Sequence, residues 1–100
     1  MISLEDQFQH AMLGVYENAK QYNYYATYFK QMIDQHGGLG AAKRLLEKEE
    51  IQEGLIKLWE LGQLGKSMEA LVVQERFQPL FSQAEINEAR RRLTELGFSK

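Results

Sequence analysis

The chain has 100 residues, 44% apolar and 26% charged, with a net charge of −2, one Pro, eight Gly and no Cys. A chain of this size buries roughly 60 to 70% of its unfolded surface, so one domain spanning residues 1–100 is expected and a low-complexity or disordered chain is excluded. Lack of Cys excludes disulfides, thiolate metal sites and Cys nucleophiles, while the near balance of acids and bases excludes a whole-molecule field drawing the protein to nucleic acid or an anionic membrane.

Met1 and Ile2 lead straight into Ser3, Leu4, Glu5 and Asp6, which is not the pattern of an export leader. The longest apolar run, Ala70 to Val73, is far below the ~20 residues of a membrane span. A cytoplasmic protein without membrane association is expected.

Ser3 with Asp6 reads as an N-terminal cap, and Leu4, Phe8, Ala11, Met12, Val15, Ala19 and Tyr22 recur at helical spacing, so the first helix is predicted from Leu4 to Tyr22. The apolar phase continues to Ile33. A single helix of ~32 residues would be ~48 Å long, against a radius of gyration near ~13 Å for a chain of this size. A break is therefore predicted at Tyr22 to Tyr25, with Asn23 in a left-handed turn. The second helix ends at His36, Gly37 and Gly38, and the third carries Leu39, Ala42, Leu45 and Leu46 inward with Arg44 and Lys48 outward. Glu47, Glu49 and Glu50 mark a junction before a fourth helix with Ile51, Leu55, Leu58 and Trp59, whose indole is expected to be buried. Gly62 and Gly65 bracket a turn. Ser67 then caps a fifth helix, apolar over so much of its circumference (Met68, Leu71, Val72, Val73) that it should be central. Pro79 makes Phe77 to Phe81 a turn whose aromatics tuck inward, and Ser82 with Glu85 forms a capping box for a sixth helix carrying Ile86, Ala89, Leu93 and Leu96 before Gly97. No run alternates with period two. The fold class is all-α: a compact, orthogonally packed bundle of about six short helices with no sheet.

The ordered set Gly37, Gly38, Ala41, Ala42, Lys43, Leu45, Leu46, then Leu58, Trp59, Glu60, Leu61, Gly62, Leu64, then Ser67, Glu69, Ala70, Leu71, Val72 resembles a small bacterial all-helical module. Phe77, Leu80, Phe81, Glu85, Ile86, Ala89, Arg90, Arg92 and Leu93 continue the likeness over about two thirds of the chain. That module is similar to standalone small proteins and to segments attached to nuclease or restriction-type proteins, and it has no assigned activity. The resemblance implies an accessory role in a bacterial cytoplasm and carries over no catalytic residue. The module has Pro where this chain has Ala26, and an acidic residue near Gly65 or Lys66.

Among candidate sites, Tyr16, Tyr22, Tyr24, Tyr25, Tyr28 and Phe29 form an aromatic cluster too dense to be wholly buried. On a helix Tyr25 and Phe29 would share a face while Tyr24 and Tyr28 point elsewhere, leaving one pair in solvent. Beside the bland reading of core plus rim, Tyr22, Tyr24, Tyr25 and Tyr28 are the candidate contact with a protein partner or a second copy. The alternative is a nucleic-acid surface of Lys43, Arg44, Arg91 and Arg92. Against it, Arg91 points out, Arg90 and Arg92 flank the apolar stripe, and Glu88 and Glu95 stand at pairing distance from Arg92 and Arg91, the pattern of a salt-bridged face. Asp6 with His10, and Asp34 with His36, supply two metal ligands each, where zinc needs three or four, so no metal and no cofactor are expected. Ser3, Ser67 and Ser82 sit at caps, Thr27 and Thr94 within helices, and Gly37, Gly38 and Gly40 lack the order of a phosphate loop. No catalytic residue is expected. The expected function is a non-enzymatic interaction or accessory module.

Overall fold

In the computed structural model, which describes residues 2–48 and 52–98, helix formation starts at the first cap. The Ser3 hydroxyl accepts the Asp6 N–H at 3.0 Å and opens α1, Leu4–Lys20. The helix closes on Asn23, which has a φ of 62°. The Asn23 N–H donates to the Lys20 carbonyl and the Tyr24 N–H to the Ala19 carbonyl, the paired bonds of a Schellman ending. The same two bonds close α3 on Gly62 and α5 on Gly97. The expected break lies where the length argument puts it, but α1 stops two residues before Tyr22 because this ending takes four residues to complete.

α2, Thr27–Leu46, begins two residues after Tyr25 and bends at Gly37, whose φ of 75° and ψ of 167° leave the helical region. The second and third helices of the sequence reading are thus two arms of one kinked element. Gly38 sits at the crossing with α1: a Cβ there would lie 2.7 Å from Gln9 Cα, so only Gly admits this approach. Its N–H donates to Gln9 Oε1 at 2.8 Å, replacing a bond that the kink removes.

α3, Glu53–Glu60, is short. Ile51, Glu49 and Glu50 lie outside the described residues, as does Lys100. Leu55 and Leu58 are buried, but Trp59 is 49% exposed, which overturns the expectation of a buried indole. Eight residues present one inward stripe, and Leu55 and Leu58 occupy it. Ile56 and Trp59, three apart, share the flank in solvent. The core centres on Phe8, met edge-on by Phe77 at 5.1 Å and Phe81 at 5.3 Å.

After a 3-10 turn at Leu64–Lys66, Ser67 caps α4, Met68–Val72, through the Ala70 N–H. This helix is buried along Met68, Glu69, Ala70 and Val72, while Leu71 and Val73 are half-buried, so a helix of five residues occupies the middle. A 3-10 stretch, Glu75–Leu80, carries Pro79 and turns Phe77 and Phe81 inward as expected. The Ser82–Glu85 capping box starts α5, Gln83–Glu95. The bundle is all-helical, with no strand among the described residues and a radius of gyration of 12.4 Å.

Candidate functional site

The start of α2, the start of α3 and the start of α4 surround an open, mainly apolar cleft of about 470 Å³. Tyr24 forms one wall because it is the residue after the left-handed Asn23, where a Schellman ending packs an apolar side chain back on its own helix. It lies against Val15, Ala19 and Leu58. A Cβ on Gly54 would sit 3.3 Å from the Tyr24 hydroxyl, so α3 starts close against it. Burial, then the charge of Glu53, pushes the Tyr24 hydroxyl pKa up.

Tyr25 lies before the helix and does not share a face with Phe29. It is 57% exposed, Tyr28 is 56% exposed, and both stand on the rim of the cleft. Tyr22 is exposed and outside the cleft lining, and Tyr16 carries Lys20 over its ring at 5.5 Å. Of the four candidate tyrosines, three present their rings to solvent and Tyr24 is drawn inward.

Met68 and Glu69 form the deep end. Glu69 is 3% exposed, and burial pushes its carboxyl pKa up against the hydrogen bonds of its own backbone and Arg92. Behind it Arg92 is fully buried. Its Nη1 donates to Glu69 Oε2 at 3.1 Å and its Nε to Glu88 Oε2 at 2.7 Å. Its Nη2 reaches the carbonyls of Leu45 and Lys48 at 3.1 and 2.6 Å. These carbonyls end α2, where helix geometry leaves acceptors without partners and a cation is favoured. Arg92 is therefore removed from the candidate nucleic-acid set: the pairing with Glu88 was read correctly, but the side chain belongs to the interior.

The other cations are not gathered either. Lys43 donates to Glu85 at 2.7 Å and lies over the Phe81 ring at 5.2 Å. Arg91 is bridged to Glu88 at 2.7 Å and to Glu95, which also keeps Glu88 down to a pKa of about 2. Arg44 is exposed on α2. Lys30 takes Asp34 at 3.1 Å, so that carboxylate does not serve His36. Among the described residues no group of three or more His, Cys, Asp or Glu could hold a metal, and no helix is long and apolar enough to cross a membrane. The hydroxyls of Ser3, Ser67 and Ser82 are all engaged as caps.

Two features escaped the sequence reading: the Glu69–Arg92 pair and the cleft above it. A signal for the pair exists. Glu69 interrupts the apolar run around Met68 to Val73, and Arg92 stands three residues beyond Ala89 on the stripe of Ile86, so each places a charge where only a partner makes it tolerable. No family model, curated protein or solved structure matches the chain.

Proposed function

We propose that the chain is a non-enzymatic interaction module of a bacterial cytoplasm, with its aromatic face contacting a protein, either a partner or a second copy of the chain. The observation that carries this reading is the solvent exposure of Tyr25 and Tyr28 on the rim of one apolar cleft, with Tyr22, Ile56 and Trp59 exposed outside its lining. Aromatic side chains are the residue types enriched where proteins meet, because they bury large area at low entropic cost. The accessory role implied by the resemblance to helical modules of nuclease-associated proteins is part of the same proposal. Nucleic acid is the weaker reading, because Arg92 is buried and Lys43 and Arg91 are held by acids.

Light scattering over a concentration series, on the native chain and on the Tyr25→Ser, Tyr28→Ser, Trp59→Ser triple variant, tests the second-copy form. Association lost in the variant supports it, and a monomer in both removes it. For a separate partner, a protein retained from the host by the native chain and released by the triple variant is the expected result. Retention unchanged by the three substitutions excludes this face.

A further inference from the structure

The cleft brings together aromatic rings and acids without a base, a combination that selects one class of small molecule whether or not the rim also meets a protein. Its volume of about 470 Å³ falls in the range of ligand pockets, roughly 300 to 1,000 Å³. Tyr24, Tyr25, Tyr28 and Phe29 line it, and among the described residues none of these rings is in contact with another ring or carries a cation over its face. The face of an aromatic ring is negative and attracts a cation, and quaternary ammonium groups are the ligands that sets of such rings take.

Charge points the same way. Glu53 and Glu69 are the acids of the lining, and among the described residues no Lys, Arg or His belongs to it. The segment between Lys48 and Gln52, outside the described residues, reads Glu49, Glu50 and Ile51 in the sequence and brings no base. Glu69 is matched by Arg92, whereas Glu53 takes part in no ion pair among the described residues. The opposing field is smaller: the start of α2 amounts to about half a charge, and the start of α3 is met by Glu53 in its own first turn. A compact ammonium holds its water strongly, while a methylated one gives it up to a ring face more readily. We infer that the cleft binds an organic cation, a quaternary ammonium joined to an apolar body, with the body against Val15 and Leu58 and the cationic head held by the tyrosine rings and Glu53.

The test uses the full chain and four probes, titrated while backbone amide NMR signals are followed: choline, 3,3-dimethylbutan-1-ol, tetramethylammonium and phenyltrimethylammonium. The alcohol has the shape of choline without its charge. Choline is expected to bind about fivefold tighter than the alcohol, and phenyltrimethylammonium tighter than tetramethylammonium. Shifts should centre on Tyr25, Tyr28, Gly54 and Leu58. Tyr28→Leu keeps apolar area but removes a ring, and Glu53→Gln removes the charge, so each should bring choline closer to the alcohol. Trp59→Ser, outside the lining, should leave all four affinities unchanged, which separates this site from a protein contact that depends on Trp59. An alcohol that binds as tightly as choline, phenyltrimethylammonium no tighter than tetramethylammonium, no binding of any probe, shifts centred outside the cleft, or a choline-to-alcohol ratio unmoved by either cleft substitution would overturn the assignment.

Discussion

The two ends of α2 answer the same problem in opposite ways. At the carboxyl end, the carbonyls of Leu45 and Lys48 are satisfied by a buried guanidinium that also joins α4 and α5 through Glu69 and Glu88. At the amino end, Ala26 offers no capping side chain, and Tyr25 and Tyr28 stand in solvent beside an open cleft. One end is closed, fully paired and costly to disturb. The other leaves apolar surface uncovered, a cost that folding alone gives no reason to bear. Glu69 belongs to both, as partner of Arg92 and as part of the cleft lining. The contrast separates groups that hold the bundle together from groups available to another molecule.

The sharpest break of this contrast is Arg92→Met set against Arg91→Met. Removing Arg92 leaves Glu69 buried without its counter-ion and takes the guanidinium donor away from the carbonyls of Leu45 and Lys48, so a loss of about 3–5 kcal/mol is expected in denaturant unfolding. Arg91, its neighbour, is exposed and paired on the surface, and its loss should leave the denaturant midpoint close to that of the native chain. Glu69→Gln should also stay within about 1 kcal/mol, because the amide oxygen can still accept from Arg92 while the cost of burying a charge disappears. Similar losses for Arg92→Met and Arg91→Met would mean that the buried network holds nothing.

That pair also marks what could be read before the structure. Caps and helix ends at Ser3, Asn23, Gly37, Ser67, Ser82 and Gly97 were legible because each is decided by backbone geometry within a few residues. The burial of Arg92 and the exposure of Trp59 were not, since both depend on which distant element covers a helix flank. Arg90, Arg91 and Arg92 are identical side chains in succession, and only the arrival of the α2 end above Arg92 distinguishes them. The cleft was invisible for the same reason: its walls come from residues 15, 19, 24 to 29, 45, 52 to 55, 58 and 67 to 69. Helical spacing put Tyr25 on one face with Phe29 and left open which pair meets solvent, because the Schellman ending rather than helix phase turns Tyr24 inward and leaves Tyr25 ahead of α2.

Acid titration resolves the two carboxylates that share Arg92. Hydrogen bonds from Arg91, opposed by burial and joined by those from Arg92, lower the Glu88 pKa from 4.5 to about 2. Its stabilisation is present above 4.5 and is lost as pH falls toward about 2. Glu69 has the opposite sign. Burial raises its pKa, so the folded state gains stability as pH falls from that raised value to 4.5. The native chain should therefore gain slightly in denaturant midpoint on mild acidification and then lose below 4.5, with Glu85, whose pKa Lys43 and Ser82 lower despite burial, adding to the loss. Glu88→Gln should flatten the lower limb and Glu69→Gln should remove the upper rise. A rise that persists in Glu69→Gln would assign it to some other group.

At the open end of α2 the expected stability effects are smaller and divide among neighbours. Tyr24 packs on Ala19, Val15 and Leu58, so Tyr24→Ser should cost about 1–3 kcal/mol as apolar area returns to water. Tyr25→Ser, Tyr28→Ser and Trp59→Ser remove side chains already about half in solvent and should each fall within about 0.5 kcal/mol of the native chain. Thermal unfolding of the four single variants decides the matter. If Tyr25 or Tyr28 proved as costly as Tyr24, the rim would be part of the folded core and its exposure would cease to mark a contact surface. If they are neutral, the aromatic groups that contribute least to folding are the ones most exposed, which is the division expected when side chains are retained for what they touch outside the molecule.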